Sequence, residues 1–149
     1  MSYKGFFRPN NPTKYRGNPT QIVYRSLWEL KMMLHFDMHQ DVIEWSSEEI
    51  RIPYRSKIDN RRHTYYPDFF VRYKDKNGKT ETEIIEVKPH AQTQAPKVKA
   101  KSKKSIREVV TYGTNISKWE AAEAYCKDRN WRFRILTENE IYGPGGSSG

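Results

Sequence analysis

Asp68, Glu86 and Lys88 are the residues whose types and spacing point to chemistry. Asp68 lies in Tyr66-Pro67-Asp68-Phe69-Phe70, and the other two lie in Ile84-Ile85-Glu86-Val87-Lys88. The second stretch is β-branched with a period of two, so it reads as a strand. Residues two apart on a strand share a face, which puts Glu86 and Lys88 on one side and turns Ile85 and Val87 the other way, into a core. Asp68 to Tyr73 reads as a second strand, and Lys74 to Lys79, with Asn77-Gly78 inside it, is a hairpin turn. Pairing the two strands brings Asp68 beside Glu86 and Lys88. Two half-buried carboxylates repel and want a cation. Mg²⁺ or Mn²⁺ answers that need, since such ions bind through one or two carboxylates plus phosphate oxygens. A lysine alongside orients a water or neutralises charge developing on phosphorus. This is equipment for hydrolysing a phosphodiester; the competing reading is a surface hairpin carrying an ordinary Glu/Lys pair.

Pro67-Asp68 followed by Glu86-Val87-Lys88 resembles the PD-(D/E)xK nuclease signature. The resemblance implies that Asp68 and Glu86 hold the metal and that Lys88 is the catalytic lysine.

These strands need a helix to pack on. Thr20 is a candidate cap for a helix running to about His39, with Val23, Leu27, Leu30 and Leu34 as its core stripe. Ile22, Met33 and Phe36 form a second row, and Glu29 falls within that row. A carboxylate placed there is partly desolvated and requires a partner. That partner is either Arg25 or Lys31 on the same helix, or the metal held by Asp68 and Glu86. The stretch Arg25-Ser26-Leu27-Trp28-Glu29-Leu30 is similar to the first-helix motif of TnsA-like endonucleases. That resemblance implies that Glu29 is the helix acid completing the site, as a further metal ligand. His35 and His39 have the i, i+4 spacing of a zinc pair, but Asp37 lies between them, the pattern is not H-E-x-x-H, and no third ligand is evident. They read as surface histidines.

Composition narrows the partner. The 149 residues suit one domain with a real core. No apolar run approaches a membrane span, and the N-terminus has no signal-peptide core. One cysteine, Cys126, excludes an internal disulfide and suits a reducing compartment. The net charge of +9, from 27 basic and 18 acidic residues, favours a polyanion. Without a basic amphipathic helix, double-stranded DNA is preferred to an anionic membrane.

Three basic stretches are candidates for touching DNA. Residues 1–19 form an arm in which Lys14 and Arg16 stand among Tyr3, Phe6, Phe7 and Tyr15; the arm either follows a phosphate backbone or packs on the domain through its aromatic rings. Arg55, Lys57, Arg61 and Arg62 lie in a loop feeding the Asp68 strand. Lys97, Lys99, Lys101, Lys103 and Lys104 form a dense run, strong in charge and without sequence-reading geometry. Among the remaining elements, Glu44-Trp45 reads as the end of a turn, Glu48 to Tyr54 as a strand, and Ser117-Lys118-Trp119-Glu120 as a capping box opening a helix to about Arg129. Trp119, Ala122 and Cys126 face inward on that helix. Trp131 to Leu136 is a final strand, and Thr137 starts a last helical turn. Residues 20–142 are then the nuclease domain, and 143–149 a disordered tail or an expression remnant.

The order helix, three strands, helix, strand is similar to the restriction-endonuclease-like α/β fold, a mixed sheet flanked by helices in a single domain. The likeness to TnsA-like endonucleases covers roughly Thr20 to Leu136. The short chain and basic arm also resemble the head-completion nucleases of T-even-type phages. That implies a protein acting on DNA in the host cytoplasm during head maturation, beside head or portal proteins, and associated with the virion. No further DNA-recognition domain is present, so low sequence specificity is expected. Two rivals share the composition: a non-enzymatic DNA-binding assembly protein on a decayed nuclease fold, and a resolvase of branched DNA.

Overall fold

The computed structural model describes residues 4–97 and 102–142. The elements run β1 (Gly5–Phe6), β2 (Val23–Tyr24), α1 (Leu27–Met38), β3 (Val42–Ser47), β4 (Ile52–Arg55), β5 (Arg62–Tyr65), β6 (Phe69–Lys74), β7 (Thr80–Val87), α2 (Lys103–Asp128), β8 (Arg132–Leu136) and α3 (Glu138–Tyr142). A four-stranded mixed sheet, ordered β3-β6-β7-β8, is the spine, antiparallel except for the parallel β7–β8 pair. The Asn77-Gly78 hairpin joins β6 to β7 as expected, with Gly78 at φ 76°, a left-handed conformation that a glycine adopts without Cβ strain. This is the anticipated α/β architecture of a mixed sheet with helices on both faces.

Both faces are covered, so the sheet has two cores. On one, Phe36 of α1 meets Trp45 and Phe69, with Val71, Ile85 and Leu136 around them. On the other, Trp119, Ala122 and Cys126 of α2 lie over Phe70, Ile84 and Phe133, and the β4–β5 hairpin adds Ile52, Tyr54 and Tyr65. Glu86 therefore stands on a buried face as well, although only the side of Ile85 and Val87 was expected to be core.

Several local expectations are corrected. Helix α1 begins at Leu27, capped by Ser26, whose side chain accepts from the Glu29 N–H. Thr20 bonds to Asn18 instead, because residues 23–24 are extended and paired with β1. With Val23 off the helix, only Leu30 of the leucine stripe packs against the core: Leu27 and Leu34 are 47% and 48% exposed, while Met33 and Phe36 of the second row are buried. Glu44 and Trp45 lie inside β3 rather than in a turn, and Trp45 is completely buried. The next strand starts at Ile52, because Glu48 adopts φ 55° and breaks the extended run. The basic loop is partly strand: Arg55 and Arg62 are cross-strand neighbours in the β4–β5 hairpin. Ser117 caps nothing. Helix α2 is continuous through it, and the Ser117 hydroxyl donates to the Gly113 carbonyl and accepts from the Lys57 N–H. Among the described residues, no helix is long and apolar enough to cross a membrane.

From Lys4 on, the N-terminal arm is packed against the domain. Phe7 and Tyr15 are buried edge-on against Trp45. The carboxylate of Asp37, itself buried, accepts from the N–H groups of Asn10 and Asn11.

Candidate active site

The site forms where β6 begins and β7 ends. The register pairs Phe69 with Ile85, so one step further the pairing sets Asp68 opposite Glu86. Asp68 Oδ2 accepts from the Val87 N–H at 2.7 Å, and the Asp68 carbonyl accepts from the Glu48 N–H at 3.1 Å. Glu86 is buried, and its Oε1 accepts from the Tyr65 hydroxyl at 2.7 Å. Lys88 Nζ lies 3.7 Å from Glu86 Oε2, and its side chain is 28% exposed, so it remains accessible to a substrate. The Lys88 N–H continues the sheet by donating to Leu136.

Glu29 arrives from the first turn of α1. Its N–H donates to Ser26 Oγ at 3.1 Å, and its Oε1 accepts from the Arg25 N–H at 3.3 Å, close to a reciprocal capping box. The helix acid thus has a structural task at one oxygen, while Oε2 has no hydrogen bond among the described residues.

The electrostatics tie these acids together. Burial, then the nearby charge of Glu86, raises the Asp68 carboxyl well above the usual carboxylate range, and Glu29 adds to the effect. Burial also raises Glu29, with contributions from Glu48 and Glu86. Burial and the Glu86 charge raise the Tyr65 hydroxyl, which therefore stays protonated and donating. A group of carboxyls that disfavour one another's ionisation suits a divalent cation. The donors are hard oxygens, one oxygen of each strand acid is anchored by the protein, and Asp68 Oδ1 has no hydrogen bond among the described residues. The residues fit Mg²⁺ or Mn²⁺. Among the described residues, no three His, Cys, Asp or Glu side chains are already gathered at coordination spacing; joint coordination of an ion would require side chains to turn.

The sequence profile described as TnsA-like endonuclease N terminal matches residues 39–138. The chain belongs to this family. The TnsA-like match includes Asp68, Glu86 and Lys88 and begins after Glu29. The chain is also 36% identical, over 97% of its own length and 97% of the relative's, to a protein of Enterobacteria phage T4 called head completion nuclease.

Two neighbours of the site were not anticipated. Nothing local in the sequence singles out Tyr65; its partner Glu86 lies 21 residues away. Glu48 looked like a strand residue, and its left-handed backbone is invisible in the letters.

The basic residues divide. Lys14 serves the fold, its ammonium donating to the carbonyls of Asp37 and His39 at the end of α1. Arg16 is exposed, 3.8 Å from Glu44. Arg55 bonds the Asn60 carbonyl, and Lys57 pairs with Glu120 at 2.6 Å. Arg61 and Arg62 are exposed on the same hairpin, and so are Lys97, Lys103 and Lys104. Lys99 and Lys101 lie outside the described residues, as does the tail 143–149. His35 and His39 are exposed, with ring centroids 5.0 Å apart.

Proposed function

We propose that this chain is a divalent-metal-dependent endonuclease that hydrolyses phosphodiester bonds of double-stranded DNA with little dependence on sequence, and that it acts in the completion of phage heads. One observation carries the chemistry: Asp68 and Glu86 face each other across β6 and β7, with Lys88 beside them. Asp68, Glu86 and Glu29 would hold the ion, which when bound supplies an activated water and neutralises charge on the phosphate. Tyr65 keeps Glu86 oriented by occupying one carboxylate oxygen. The Val87 N–H does the same for Asp68. Lys88 donates to the attacking water or to a phosphate oxygen.

Low sequence dependence is supported by where the charge lies. Lys103 and Lys104 occupy the first turn of α2, which contains no acid. Cations at a helix N-terminus are disfavoured by its dipole, so binding to phosphate is the better account of their presence. Lys97 and the hairpin residues Arg55, Lys57, Arg61 and Arg62 add phosphate-directed charge among the described residues. Arg16 joins it, and Lys14 does not. The setting in head completion, with head or portal proteins as partners, follows from the phage relative's name and from its likeness over nearly the whole chain.

The test is purified protein with linear, circular and branched DNA, in Mg²⁺ and in excess EDTA, beside Asp68→Ala and Glu86→Ala. Cleavage is expected only for the wild type in Mg²⁺. Undiminished cutting in EDTA, or by both variants, would overturn the proposal.

A further inference from the structure

We propose that Arg25 is a positioning residue: the built-in counter-cation of the metal-free site, holding Glu48 by its side chain and Glu29 by its backbone, and yielding when a divalent ion binds. The inference rests on the metal-dependent reading above.

The geometry supports a two-handed role. Arg25 Nε and Nη2 reach Glu48 Oε1 and Oε2, each at 3.2 Å, a two-pronged contact between planar groups. Its backbone N–H donates to Glu29 Oε1. Glu48 in turn is stitched to the start of β6, its N–H bonding the Asp68 carbonyl while its φ is 55°. A left-handed backbone at a glutamate costs energy that the surroundings must offset, and here the bond to Asp68 and the pair with Arg25 provide that support. Among the described residues, Glu29, Glu48, Asp68 and Glu86 thus form a neighbourhood of four carboxylates with Arg25 and Lys88 as the cations beside it. The ion and the guanidinium compete for the same negative field.

Arg25 and Glu48 side chains are 50% and 35% exposed, so the exchange needs no opening of the core. The competition carries the modest strength of a surface pair.

The experiment measures Mn²⁺ binding without DNA, by electron paramagnetic resonance, for the wild type, Arg25→Gln, Arg25→Lys and Glu48→Gln. Melting is followed in EDTA and in Mn²⁺. Arg25→Gln is expected to bind Mn²⁺ roughly two- to five-fold more tightly, the span of an exposed ion pair. It should also melt lower in EDTA and recover in Mn²⁺. Arg25→Lys should lie between it and the wild type, and Glu48→Gln should bind Mn²⁺ less tightly. A purely structural Arg25 would lower melting equally with and without Mn²⁺ and leave affinity unchanged; that result overturns the inference while the metal reading stands. Failure of the wild type to bind Mn²⁺ at all overturns the metal reading, and this inference with it.

Discussion

The hydroxyl of Tyr65 and the carboxylate of Glu86, on different sheets, meet at 2.7 Å inside the protein. The β4–β5 hairpin therefore reaches across to fix a side chain of the central sheet. Tyr65→Phe removes only that hydroxyl. A lost hydrogen bond to a charged group costs about 1.5–3 kcal/mol, and loss of a partner that orients a metal ligand typically costs about 10- to 100-fold in activity or metal affinity. A melt beside a cleavage assay checks both numbers.

Glu29 has two separable roles, and one substitution separates them. Glu29→Gln retains an oxygen to accept from the Arg25 N–H and removes the charge. Melting should change by less than about 1 kcal/mol, the usual scale of an altered cap, while cleavage falls strongly. Unchanged cleavage would confine Glu29 to the helix start.

The pH dependence of stability follows from Asp68 and Glu29, both raised chiefly by burial. Over the range between their unfolded and folded values, the metal-free folded protein binds more protons than the unfolded chain. Stability from these groups therefore rises as pH falls toward the ordinary carboxylate range, and is lost as pH climbs through the raised values. Melting in EDTA should show that slope, and Asp68→Asn should flatten it. Mg²⁺ should reverse it, since the ion requires ionised ligands.

Salt tests the DNA surface. Each phosphate contact contributes about 0.9 to the slope of log K against log salt on duplex DNA. Replacing Lys99, Lys101 and Lys103 together should flatten that slope by roughly two to three if all three touch phosphate. Cleavage at saturating DNA should persist. A titration on two unrelated duplexes reads both the slope and any sequence preference.

The hairpin from Asp68 to Lys88 was legible because its signals are local: β-branched alternation, an Asn-Gly turn and a two-residue spacing of acid and lysine. Trp119, Ala122 and Cys126 were legible inside α2 for the same reason. The start of α1 was misread because Thr20 looks like a cap, and only the pairing of residues 23–24 with the arm moves the helix start to Ser26. Ser117 was misread because a capping box and a mid-helix tertiary contact to Lys57 use the same letters. Tyr65 and Glu48 were missed because their meaning depends on partners distant in the chain.

The packing of the arm has a consequence beyond DNA. β3 is the outermost strand on its side of the sheet, and Tyr15 forms a bridge with Trp45 there while the Arg16 N–H donates to the Trp45 carbonyl. The arm occupies backbone groups that would otherwise template pairing with another chain. Removing residues 1–16 should therefore expose an aggregation-prone edge, and the truncated protein should self-associate at concentrations where the full chain does not, as light scattering would read. In that sense Tyr15 and Arg16 guard the sheet's open side.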